Sequence, residues 1–347
     1  MSFSEDLQEK ISVEVIKTLV SRFESFPEDA SNIRNAPFHE AFLKAFADKL
    51  EDKVSDVPFF ISLSSWLHGL NTTLGQTFFE NVAHYLCQGE KREYTSKKLG
   101  NLQIHKTQKD NVNTIITDLS NSISQPNLAD ENQLLFISDD TQLVNVIDFS
   151  ADVFIEDNNK ITAIELKSVH PNSGEMKGEK QKILEGKAAL FNKFSGKEIN
   201  FYIGFPFDPK SDQDTTYDKT RFLGSIINMT KYFANNETLI ASELWDFLSG
   251  EENTMEQILE IINTISTTQF LEKYRFLNDN TNRSNNRYAV ILREWNLYSE
   301  LKLIDNGEII KEQIGSDQRL NRLYNQKPFR GKGVYNIDRY SVLAKLI

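Results

Sequence analysis

Apolar residues recur at intervals of three and four over positions 5–26, 38–54 and Leu74 to Leu86, the spacing of one face of a helix. Helices are therefore expected to dominate up to about residue 125. From Leu134 the texture changes to short runs rich in β-branched and aromatic residues: LLFIS, LVNVIDF, ADVFIED, an Asp-Asn-Asn turn and KITAIELKS. These predict a sheet with at least one hairpin. Helical spacing returns over 178–195, and INFYIGFPF at 199–207 reads as a buried strand closed by prolines. Further helices are expected over 221–234, 240–249 and 254–266, with a possible strand in YAVILREW and an Asn-rich loop at 278–286. The order is α/β, a central mixed sheet flanked by helices. It divides as a helical N-terminal region over 1–73, a core over 74–235 and an α+β addition over 236–347, helical and then basic. No internal repeat is apparent.

Composition leaves this picture intact. The chain of 347 residues is 39% hydrophobic and 26% charged, as expected of a folded, soluble protein. The N-terminus alternates acids and bases instead of pairing a basic start with an apolar run, and no stretch is apolar enough to span a bilayer. The single cysteine, Cys87, excludes an intramolecular disulfide and a cysteine-based zinc site. A cytoplasmic location with no membrane partner is expected. The net charge of −11 argues at first against a nucleic-acid partner, but charge is unevenly placed. From Arg319 onward seven bases face one acid, Asp338, and a lysine-rich stretch runs from Glu175 to Lys197. Charge permits DNA without indicating it.

The segment that carries chemistry is Asp152-Val-Phe-Ile, a turn, then Ile161-Thr-Ala-Ile-Glu165-Leu-Lys167. Side chains alternate faces along a strand, so Glu165 and Lys167 project together while Ile164 and Leu166 point into the core. The hairpin brings Asp152 alongside. Two carboxylates and the Leu166 carbonyl make an all-oxygen set suited to a hard cation such as Mg²⁺, with Mn²⁺ able to substitute. Lys167 beside them can stabilise charge on a phosphodiester under attack.

Asp152, a gap of twelve residues and Glu165-Leu-Lys167 resemble the signature of the PD-(D/E)XK nucleases, with Ala151 where that family has proline. The proline shapes a turn and binds nothing, so the departure is mild. The resemblance implies a PD-(D/E)XK core in which Asp152, Glu165 and Lys167 are catalytic and Asp152, Glu165 and Leu166 hold the metal. In such proteins an upstream helix often adds a carboxylate, and Gly75 to Leu86 resembles that helix, with Glu80 at the edge of its apolar stripe. An ordinary surface glutamate is the other reading of Glu80. The longer run from Glu165 through His170, Asn172 and Lys177 to Lys180 resembles, more narrowly, type II restriction endonucleases of the TdeIII-like family, most clearly over 75–205. That resemblance implies a homodimer cutting a short palindromic, GGNCC-type site in double-stranded DNA, with a cognate DNA methyltransferase as genetic partner.

Other positions keep two readings. Lys180 and Lys187 fall inside the apolar arc of Ile183, Leu184, Ala188, Leu190, Phe191 and Phe194; they either reach a scissile phosphate or run their stems over apolar surface to solvent. His170 and Asn172 either meet DNA or are ordinary loop polarity. Asp148 is a second acid or a strand end, and His84 is most simply a packed or capping residue. Arg330 and Lys332, among Tyr324, Phe329 and Tyr335, either read the target or belong to a solvated or interface tail. The competing functions are a structure-specific repair nuclease on the same core and a DNA-binding protein with a degenerate one.

Overall fold

Seven strands organise the computed structural model, which describes residues 2–29, 37–50, 53–54, 56–91, 99–138, 140–146, 150–167 and 175–347. They are β1 (Glu90–Lys91), β2 (Gln103–His105), β3 (Leu143–Asn145), β4 (Val153–Glu156), β5 (Lys160–Leu166), β6 (Glu198–Phe205) and β7 (Thr238–Ile240). Five of them form one mixed sheet in the order β1-β4-β5-β6-β7. β4 pairs antiparallel with β1 and β5, whereas β5, β6 and β7 run parallel. β2 and β3 form a separate antiparallel pair.

This sheet belongs to the first of two compact units, Phe79–Gln257. Positions 161 to 165 of β5 are all buried, the mark of a strand covered on both faces. A parallel β5–β6 pair needs a long crossover, which the helix Glu175–Lys193 supplies. Its apolar arc packs on β6 and on the helix Lys106–Ser120, while Phe79–Cys87 contacts β4 and Ser242–Ser249. Gly204 in β6 leaves no room for a side chain: an added Cβ would stand 2.9 Å from Leu244 and 3.0 Å from Leu166.

The second unit joins Ser2–Phe78 to Ile258–Ile347 and is helical. Ser4 caps the helix Glu5–Glu24 and Asp56 caps Val57–Thr73, each accepting a first-turn amide. In the Lys-Pro-Phe-Arg-Gly-Lys-Gly segment the backbone approaches a neighbour closely at Gly333, whose φ is +70° and whose Cβ position lies 2.9 Å from Val20. Leu303, Ile310, Ile314 and Leu343 form a small core.

Several elements differ from expectation. LLFIS is not a strand: the helix Leu128–Leu135 covers its start, capped by Asn127, and buries Glu131 and Leu135 one turn apart while Leu134 stays exposed. YAVILREW is likewise a helix, Asn286–Glu294, because Tyr288, Ile291, Leu292 and Trp295 are buried at helical spacing and Val290 is 56% exposed. The helical first third also contains β1 and β2, too short for a period to register. Helix 38–54 breaks into Pro37–Leu43, a 3₁₀ turn at Lys44–Phe46 and Ala47–Leu50.

Candidate active site

The β4–β5 register pairs Val153 with Ile164, so continuing it by one residue sets Asp152 opposite Glu165. One hydrogen bond fixes that end: the Leu166 amide donates to Asp152 Oδ2 at 2.8 Å. Both carboxylates are buried, at 2% and 4% exposure. On the next position of the same face, Lys167 Nζ lies 3.3 Å from Glu165 Oε1. Its amide donates to the Gly204 carbonyl at 2.9 Å, which ties the strand end to β6. The structure thus brings Asp152, Glu165 and Lys167 together as alternation along two paired strands requires.

Three residues not singled out in the sequence complete the cluster. Lys167 Nζ lies 3.0 Å from Glu175 and 2.9 Å from Glu179, and Lys182 Nζ is 3.1 Å from Glu165 Oε2. Glu175, Glu179 and Lys182 follow one another at four and three residues on the crossover helix, the spacing of a single face. That polar stripe was a readable signal, overshadowed by the apolar arc beside it. Burial lowers the Lys167 ammonium's pKa, but Glu165 and Glu179, with Glu175, outweigh it and hold lysine well above its ordinary range. Four carboxylates around two ammonium groups leave two negative charges in the cluster.

That charge and the donor chemistry fit a divalent cation. Mg²⁺ is commonly held by one or two carboxylates plus substrate phosphate, keeping several waters, so the Asp152–Glu165 pair suffices. Among the described residues no group of three or more His, Cys, Asp or Glu side chains is arranged to hold an ion. Glu80 is half-buried in a helix that contacts β4. His84, on the same helix, is a packed residue: burial pushes its imidazole below the ordinary value, against the contact of its Nδ1 with the Gly89 carbonyl at 3.2 Å.

Lys180 and Lys187 are placed elsewhere, and neither earlier account of them fits. Lys180 is 0% exposed, with its Nζ 2.6 Å from Glu131 and 2.7 Å from Glu237. Lys187 is 1% exposed, over the Phe136 ring, and its Nζ makes no hydrogen bond among the described residues. Both stems are enclosed by the helices packed on the sheet, so neither ammonium reaches solvent or a phosphate. Burial, opposed by Glu237 and reinforced by Lys180, lowers the Lys187 amine from 10.5 to about 8. That difference costs about 3 kcal/mol while both folded and unfolded forms are protonated, below pH 8. Between pH 8 and 10.5 the folded amine loses its proton first, so stability rises with pH through that window. Lys187→Met is expected to raise stability by up to about 3 kcal/mol at pH 7, the gain vanishing near pH 10.5; urea midpoints at pH 7 and pH 10 measure it.

Of the remaining sequence candidates, Lys177 is exposed on the crossover helix. Arg330 belongs to the second unit, its guanidinium 3.1 Å from Asp338 and also bonded to Asn336, and Lys332 is exposed beside it. Arg339 leaves the basic group altogether, buried 2.6 Å from Glu300. His170, Asn172 and Asp148 lie outside the described residues.

Two comparisons with known proteins bear on this geometry. The family model described as type II restriction endonuclease, HinfI, matches residues 3–266. The type II restriction enzyme MjaII of Methanocaldococcus jannaschii is 42% identical over all of this chain and 98% of its own length. The chain belongs to the HinfI family of type II restriction endonucleases. It is therefore a DNA-cleaving hydrolase, and the mixed α/β sheet is the frame of a restriction endonuclease. The sequence resemblance had reached the class; the matching family model is the HinfI one. Among the described residues of this HinfI-family enzyme, no helix is long and apolar enough to cross a membrane.

Proposed function

We propose that this endonuclease hydrolyses phosphodiester bonds of double-stranded DNA through a Mg²⁺-dependent PD-(D/E)XK centre made of Asp152, Glu165 and Lys167. The observation that carries the reading is the Leu166 amide bonded to Asp152, which locks the two acids side by side with Lys167 next to them. Asp152, Glu165 and the Leu166 carbonyl hold the ion, and Glu80 supplies a further carboxylate from its helix. When bound, Mg²⁺ polarises the scissile phosphodiester and offsets its charge. The protein's own part is to hold both carboxylates out of bulk water and to aim the Lys167 ammonium at the phosphate oxygens, where charge develops. Mn²⁺ serves in place of Mg²⁺.

The target is a short palindrome of GGNCC type, read by a homodimer whose twofold axis matches that of the site. The core over 74–235 does the chemistry, and the helical and basic region over 236–347 serves DNA recognition or dimerisation. His170, Asn172 and Lys177 follow the active strand and meet DNA near the cut, whereas Arg330 and Lys332 contact it from the second unit. The enzyme works in the cytoplasm, with a cognate methyltransferase protecting the host genome. Digestion of a plasmid of known sequence, with Mg²⁺ and with chelator, tests the reading. Discrete bands whose ends map to one palindrome support it; cleavage that survives chelation, or a smear, goes against it.

Arg330→Ala is expected to cost about 1–3 kcal/mol of DNA affinity or to relax target choice while metal-dependent cleavage persists. Anisotropy titrations against cognate and single-mismatch duplexes measure both. Unchanged affinity and selectivity remove Arg330 from the reading surface.

A further inference from the structure

Glu165 carries an ammonium on each oxygen, and the two lysines are held very differently. Lys167 lies within 3.3 Å of three carboxylates, those of Glu165, Glu175 and Glu179. Among the described residues Lys182 has one close partner, Glu165 Oε2 at 3.1 Å, and stands 3.9 Å from Glu179. It is 16% exposed, on a long flexible stem rooted on the helix and not on the sheet. A divalent cation that takes Glu165 repels both ammonium groups, and the one with fewer anchors moves.

From this we infer that Lys182 is the displaceable counter-ion of Glu165: it contests the carboxylate with the divalent cation and, once displaced, pairs with the phosphate of the bound DNA. The inference rests on Glu165 being a metal ligand as proposed above. Lys182 then has two places to be, Glu165 before the cation arrives and the scissile phosphate after it. Lys167 stays, because Glu175 and Glu179 still hold it. The charge balance follows the same path, since an incoming cation replaces the ammonium on Glu165 and the released ammonium meets a new anion.

The consequence is a pair of effects with opposite sign. Removing the Lys182 charge leaves the cluster more negative, so Lys182→Met is expected to bind Mn²⁺ about tenfold more tightly, measured without DNA by the paramagnetic resonance signal of the free ion. The same variant is expected to cleave about 100-fold more slowly in single turnover at saturating metal, because one phosphate-facing cation is gone. Lys182→Arg keeps the charge and adds a forked grip on carboxylate, so it is expected to bind Mn²⁺ more weakly than the natural enzyme. A residue that merely supports the helix weakens metal binding and cleavage together in both variants. Mn²⁺ affinity of Lys182→Met that is unchanged or weaker overturns the inference while the metal site stands. If the natural enzyme and Glu165→Gln bind Mn²⁺ equally, the metal-site reading fails instead.

Discussion

Asp152→Ala and Glu165→Ala are each expected to reduce DNA cleavage by at least about 1000-fold, with affinity for duplex DNA kept within a few-fold. Both carboxylates are buried side by side, and carboxylates are few at this site for a divalent ion, so losing either one removes an anionic ligand that nothing nearby replaces. Asp152 has a second task. Its Oδ2 accepts the Leu166 amide at 2.8 Å, and leaving that N–H unsatisfied costs about 1–3 kcal/mol of stability. Asp152→Asn separates the two roles, because an amide oxygen can still accept the Leu166 N–H while the negative charge is gone. Lost cleavage with an unchanged melting temperature in Asp152→Asn therefore isolates the chemistry. Lys167→Ala is expected to lose about 100- to 1000-fold, the scale of removing one preorganised electrostatic group. Plasmid digestion paired with anisotropy binding in Ca²⁺ reports rate and affinity apart. Any of these variants cutting within tenfold of the natural enzyme would take that residue out of the active site.

The strand pair was legible because period-two alternation is a local property. Once ADVFIED and KITAIELK are strands joined by a short turn, the places of Asp152, Glu165 and Lys167 follow without knowledge of anything distant. Glu175, Glu179 and Lys182 were harder to read. Their stripe is polar at helical spacing, which most solvated helix faces also show, and only the crossover geometry sets that face against the active strand. Two apolar runs misled for a related reason. Leu134-Leu135-Phe136 and the Tyr288 to Trp295 run contain enough branched and aromatic residues to look like strands, yet in each a large apolar residue, Leu134 or Val290, is left outside by a helical turn. The lysines of the crossover helix show the limit most clearly. Sequence flags Lys180 and Lys187 as out of place on an apolar arc, but their partners Glu131 and Glu237 lie 49 and 57 residues from Lys180, where no local pattern reaches.

That buried group sets the largest expected effect on stability. Glu237 receives Lys180 on both oxygens, at 2.7 and 2.9 Å, and its Oε2 also accepts the Ala234 amide at 2.9 Å. Glu237→Ala leaves Lys180 with Glu131 alone, strands the Ala234 N–H and places Lys187 beside one carboxylate fewer. The expected loss is about 3–5 kcal/mol, measured by urea unfolding at pH 7. Lys180→Met with Glu237→Gln removes one buried charge of each sign and leaves Glu131 balanced by Lys187, so it is expected to cost less than the single change, which leaves two buried ammonium groups against one carboxylate. A single-variant loss below about 1 kcal/mol, or a double variant worse than the single one, shows that the pair is not what secures the helix. The position of the pair gives it a bearing on function. Lys180 sits between Glu179 and Lys182, so its inward-facing anchor holds the turn whose outward neighbours reach Lys167 and Glu165. Loosening the anchor must therefore disturb the cluster through the helix, and cleavage by Glu237→Ala should fall more steeply with temperature than that of the double variant.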